Sequence, residues 1–332
     1  MIPLNMKKSF SILISLLLCL STIVAQKEIV QLPELAKELK EMRDDDQKLR
    51  NKWVSLYRKG KTESDKFKEL TDQTIASDRA NTARMREIIE QHGWPTYNLV
   101  GEGPSNNAWL IVQHADRNPL FQAKCLPLLK DAVDNGQANP SNYAYLYDRV
   151  RVSRGEKQLY ATQSWTNNGL DKGSYYPIDD ESNVQNRREE MTVDRTVVEN
   201  AQSMGFEYTI PTAQKAEARA KKLNADYQEA LTQAKIAMSD KEYTKAADKY
   251  MEATSAYGSV STEDFVEAAR ALSLAEHTDI GKATTFLTRA LARGWDGLDE
   301  SKTNSDFDFL RKSKPEQWSD LLIVAEQMSL DR

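Results

Sequence analysis

Two cysteines in 332 residues, Cys19 and Cys125, leave no room for a disulfide framework, so the fold must be held by packing. Cys125 lies among Leu120, Phe121, Leu126 and Leu129, surroundings that suit a buried apolar thiol better than a nucleophile. Histidine is as scarce: His92, His114 and His277 are scattered, with no metal-binding spacing, so no metal ligands are assigned. There is no glycine-rich phosphate loop and no serine nucleophile elbow, which argues against nucleotide chemistry and against Ser or Cys triad hydrolysis. No cofactor follows from the residues present. Basic blocks are missing too: 45 Lys and Arg face 50 Asp and Glu, a formal charge of −5, which offers no electrostatic footprint for nucleic acid.

What is present begins with a leader. Lys7 and Lys8 precede an apolar run from Phe10 to Leu20, and Ser21 to Ala25 ends on a small residue, the pattern of a secretory signal over 1–25. The run is shorter than the roughly 20 apolar residues that a spanning helix needs, and Gln26-Lys27-Glu28 closes it. Leu18 before Cys19 is too bulky for lipid attachment at that cysteine. The expectation is an exported chain, periplasmic or secreted, cut after Ala25 and without a membrane span. Loss of Lys7 and Lys8 moves the charge from −5 to −7.

The remaining residues divide on length and composition into two parts, 32–205 and 212–332. The fold class expected is mainly α: a helical domain with a small antiparallel β-hairpin, then C-terminal helical repeats. Leu35, Leu39, Met42, Leu49, Trp53 and Leu56 recur at helical spacing, and a second helix runs from Ser64 to Gln91 until Gly93-Trp94-Pro95 stops it. After Gly101-Glu-Gly-Pro a helix is expected over Asn107 to Arg117, capped by Ser105 or Asn106, with the next opening at Asn118-Pro119. Tyr143 to Val152 is helical. Lys157 to Trp165 alternates as a strand would and pairs with Tyr175-Tyr-Pro-Ile178, while one polar helix is expected from Asp179 to Met204.

Beyond Thr212 the chain repeats itself. Ala234, Tyr243, Ala246, Tyr250 and Ala253 return in type as Ala271, Ile280, Ala283, Leu287 and Ala290, always at the same offset. This resembles tetratricopeptide repeats, and the resemblance implies a protein or peptide partner.

Three polar clusters interrupt otherwise apolar helices. Gln113, His114 and Asp116 end the helix Asn107 to Arg117, where a carboxylate is disfavoured by about 0.3 to 1 kcal/mol. Helical geometry turns His114 and Asp116 about 200° apart, so they cannot pair directly. Asp148 and Arg149 form the second cluster; Asp148 with Arg151 reads as an ion pair along the helix, and Arg149 as a fork for an anion. Gln158, Tyr160 and Thr162 share a strand face next to Gln163. Asp46 and Arg50 read as an ordinary i,i+4 pair.

These residues resemble a bacterial domain family of unknown function, through Asp46-Gln47-Arg50, His92 to Pro95, Ala108 to Asp116, Phe121-Gln122 with Leu128-Leu129, Asp148 to Val152, and Gln158 to Gln163, over 32–191. The chain departs from that pattern at Ala161, where glycine is expected, and at Tyr147. The resemblance groups the polar clusters without naming a reaction. Two functions stay open: a binding or scaffolding protein of the bacterial envelope, or an enzyme for an anionic substrate. For the enzyme, His114, Asp116 and Asp148 are the catalytic candidates, and Gln113, Gln122, Arg149, Gln158, Thr162 and Gln163 the ligand-binding ones. A third possibility is a purely structural polar core.

Overall fold

Pro33 at a first helical turn and the Ser64 side chain, which accepts the Phe67 N–H, open the first two helices. These are α1 (Pro33–Arg58) and α2 (Asp65–His92), which pack side by side in a computed structural model describing residues 30–166, 173–254 and 260–329. The leader 1–25 lies outside the described residues. α3 (Tyr97–Val100) is one turn long, and α4 (Glu102–Gln113) starts earlier than its sequence suggests. Gly101, at φ 84°, takes the cap position instead of Ser105 or Asn106. Pro104 then falls in the first turn, where a missing N–H costs nothing.

Asn118 caps α5 (Pro119–Asp134) through the Phe121 N–H at 3.0 Å, and Asn139 caps α6 (Pro140–Ser153) through that of Ser141 at 2.9 Å. Leu39, Met85, Ile88, Ile111, Phe121 and Leu129 form the core of this part.

The strand expected over Lys157 to Trp165 is short. β1 (Ser164–Thr166) pairs antiparallel with β2 (Gly173–Tyr175), Ser164 opposite Tyr175, and residues 167–172 are not described. Residues 157–163 form an irregular loop, so Gln158, Tyr160 and Thr162 share no strand face. The cause is Asp148, whose carboxylate takes the N–H groups a strand partner would have used. The polar helix expected from Asp179 to Met204 is broken into α7 (Val184–Glu190) and α8 (Val197–Ser203) by a turn in which Thr192 has φ 50°. Tyr175, Val184, Val197 and Phe206 give this region its own small core.

The remaining helices are α9 (Ala213–Ser239), α10 (Tyr243–Thr254), α11 (Thr262–Leu274), α12 (Gly281–Ala292), α13 (Leu298–Ser301), α14 (Asp308–Ser313) and α15 (Pro315–Ser329). From α9 to α12 each packs on the next, and α15 packs on α12. The recurring positions Ala234, Ala246, Tyr250, Ala271, Ala283 and Leu287 are all buried, because small residues let neighbouring helices approach.

The two parts are in contact. Gly155, at φ 71°, lies under the Phe265 ring; Leu120 packs on the C-terminal core; and Asp320 of α15 pairs with Arg79 of α2 and, at 3.2 Å, with Arg117. Arg293 donates to the Arg154 carbonyl at 3.2 Å, and Arg219 pairs with the buried Glu181 at 2.8 Å. None of the described helices is long and apolar enough to cross a membrane.

Candidate functional site

The polar residues sort into three hydrogen-bonded groups. The first joins α1, α2 and the end of α4. Asp46, in the middle of α1, is 1 % exposed and accepts from Arg50 Nε at 2.9 Å and Gln47 Nε2 at 2.8 Å. His114 Nδ1 stands 3.0 Å from Asp46 Oδ2 but off the line of a well-formed hydrogen bond, so the contact is chiefly one of charge when the ring is protonated. Burial works to raise the Asp46 carboxyl, yet His114, Arg50 and Gln47 together hold it below the ordinary carboxylate range. Arg50 also grips Asp78 of α2. There burial wins: against the pull of Arg50 and His114, and helped by the nearby Asp46, it pushes the Asp78 carboxyl up to about 6.

The second group forms where α4 passes to α5. The aspartate that the end of α4 disfavours has its own cation: Arg149 Nη1 of α6 lies 2.7 Å from each Asp116 oxygen. Gln122, fully buried, donates to the Val112 carbonyl at 3.2 Å, the Gln113 carbonyl at 3.0 Å and Asp116 Oδ1 at 3.3 Å, which supplies partners for the last turn of α4. Three buried polar atoms here have no hydrogen-bond partner among the described residues: Arg149 Nε, Gln113 Oε1 and Gln122 Oε1.

The third group is the loop 157–163. Asp148 does not pair along its helix with Arg151, which instead donates to the Lys157 carbonyl. The Asp148 carboxylate accepts the N–H groups of Leu159 at 2.7 Å, Tyr160 at 3.1 Å and Thr162 at 3.0 Å, and the Thr162 hydroxyl at 3.0 Å. Complete burial pushes it up to about 6 against the lowering effect of those bonds. The carbonyls of the same loop are held from the other side: Arg188 donates to Tyr160 at 2.6 Å, Asn200 to Ala161 at 3.1 Å and Arg187 to Leu159 at 2.9 Å. Gln158 ties the loop to itself and to the segment just after β2, donating to the Gln163 and Tyr176 carbonyls at 2.8 and 2.7 Å. Ala161, where the resemblance expects glycine, takes φ 50° within this clamp.

Between the two parts of the chain lies a cleft of about 830 Å³. Asp116, Arg149 and Gln163 line it on one side; Thr284, Thr285 and Thr288 of α12 face them, with Gln317 and Asp320 of α15. Of the sequence-derived site residues, then, Asp116, Arg149 and Gln163 come together at the cleft. Gln113 and Gln122 stand behind Asp116, His114 turns to Asp46, and Asp148, Gln158 and Thr162 are spent on the loop. A smaller cavity, about 390 Å³ between β2 and α9, contains none of them.

Sequence reasoning missed Asp78, Arg188 and the whole α12–α15 wall. Only Asp46 had left a signal, its place beside Gln47 and Arg50 in the family pattern. No cluster of three or more His, Cys, Asp or Glu side chains among the described residues is arranged to hold a metal ion. No curated protein and no solved structure matches the chain. Residues 33–202, just over half of it, match the sequence pattern of DUF6624 and contain every polar group described above except the α12–α15 wall; the chain belongs to that family of unknown function.

Proposed function

We propose that this is an exported protein of the bacterial envelope that binds its ligand in the cleft between the family domain and the C-terminal helices. Export rests on the leader, and the C-terminal helices are read as tetratricopeptide-like repeats that supply a rigid second wall. One observation carries the binding reading: a cleft of ordinary ligand-site size has walls from both parts, whereas the catalytic candidates His114, Asp116 and Asp148 belong to three separate networks. On this reading the partner is a ligand held in the cleft more than a protein laid along the repeats. The test is a thermal-shift screen of the mature chain against metals and small molecules, repeated with Thr285→Trp, an exposed cleft position where the larger ring obstructs the site. A shift seen in the wild type and lost in the variant supports the site; a shift of full size in both overturns it.

The enzyme reading keeps one specific observation. Asp46 stands 3.0 Å from Nδ1 of His114 and Nε2 has no hydrogen bond among the described residues, which leaves a ring nitrogen for proton transfer. His114 does not line the cleft, so the test takes any ligand found to be turned over: His114→Ala must abolish the rate, and an unchanged rate removes His114 from the chemistry.

A further inference from the structure

We propose that the cleft takes a neutral, hydroxyl-rich ligand of the saccharide class, an inference that rests on the cleft being the binding site.

Charge excludes the obvious alternative first. Arg149, Arg117 and Arg289 look like anchors for an anion, but Arg149 is paired with Asp116, Arg117 shares Asp320 with Arg79, and Arg289 lies over the Phe265 ring. Two further acids, Asp72 and Glu316, are exposed on the cleft and have no ion-pair partner among the described residues. An anion bound at Arg149 or Arg117 would have to displace Asp116 or Asp320, and the four acids of the lining outnumber its three arginines, so the balance of charge opposes it.

What the walls offer is neutral hydrogen bonding. The Thr284 and Thr288 hydroxyls donate to carbonyls of their own helix, to Gly281 at 2.9 Å and Thr284 at 2.8 Å, which leaves their oxygens as acceptors. Gln163 donates through Nε2 to the Thr162 hydroxyl at 3.0 Å, which keeps its carbonyl oxygen as an acceptor too. Donors come from the second Nε2 hydrogen of Gln163 and from the Gln317 amide on the facing wall. A ligand that answers this mixture must donate at one atom and accept at the next without carrying charge, and an alcohol does both through one oxygen. Ile75, Val152, Leu321 and Val324 also line the cleft and supply apolar surface for the C–H face of a sugar ring. Because Gln163 and Thr288 stand on opposite walls, the ligand bridges the two parts of the chain.

The experiment is calorimetric titration of the mature chain with neutral oligosaccharides of the cello, malto and chito series, alongside citrate and spermidine. The expected result is saturable binding of at least one neutral series, with an affinity that changes little between about 0.05 and about 0.5 M salt, since no charge is exchanged. Gln163→Ala should weaken it by about three- to tenfold, the loss of one neutral hydrogen bond, and Thr285→Trp should abolish it. Binding of citrate or spermidine with a steep salt dependence, blocked by Thr285→Trp, overturns the ligand class and leaves the site standing. Oligosaccharide binding indifferent to Thr285→Trp overturns the site as well, and no binding by any neutral series overturns the proposal.

Discussion

At the scale of single residues, carboxylates decide the local structure. Asp148 gathers three backbone N–H groups and a hydroxyl inside a site with no access to water. Asp148→Ala orphans all four donors, so unfolding in urea should show a loss of about 3 to 5 kcal/mol, the range for breaking a buried charged network. A loss below 1 kcal/mol would mean the loop holds itself. Asp78 makes a prediction about pH. Its folded carboxyl titrates near 6, above its ordinary 3.8, so the folded state holds a proton that the unfolded state releases. The stability this gives is present at low pH and fades as pH rises through about 6. Between pH 5 and 7 the change is about 1 kcal/mol for this residue, and Asp78→Asn should flatten the wild-type curve by that amount. A variant with the same slope as wild type would refute the assignment. The Asp46–Arg50 pair was legible because helix spacing alone brings those side chains together. Its link to His114 was not, because it exists only where α1 crosses the end of α4.

At the scale of elements, chemistry written at helix ends was legible in part and chemistry supplied from elsewhere was not. Asn118 caps α5 as its place before Pro119 suggests, whereas the cap expected at Ser105 or Asn106 falls to Gly101 because α4 begins earlier. The stretch 157–163 misled because alternation of residue types is a strand signal only when the backbone is free to pair, and here Asp148, Arg187 and Arg188 had claimed it. Gly155 marks another boundary that sequence shows only as a turn. Its φ of 71° suits glycine, and an added Cβ would meet Phe265 Cζ at 2.5 Å. Gly155→Ala should therefore cost about 1 to 3 kcal/mol in chemical denaturation, from backbone strain and from pushing α11 away from α6. An unchanged midpoint would show that the contact is loose.

At the scale of the whole molecule, Asp320 is the fastening between the parts. Asp320→Ala gives up partners on both α2 and Arg117, half-exposed pairs worth about 0.2 to 1 kcal/mol each, so the urea midpoint should fall only slightly. Affinity for any cleft ligand should fall more, because α15 is then free to drift from the opposite wall. Equal affinity in the variant would show that the cleft does not depend on this clamp. The position of that fastening also orders events in time. Gln317, Asp320 and Leu321 all belong to α15, the farthest described helix along the chain, while the opposite wall is complete by Tyr176. A domain whose residues emerge first can fold first. A nascent chain, or one clipped ahead of Pro315, therefore has its family domain and α12 in place while the facing wall still lacks Gln317 and Asp320, which makes arrival of α15 the step that completes the site.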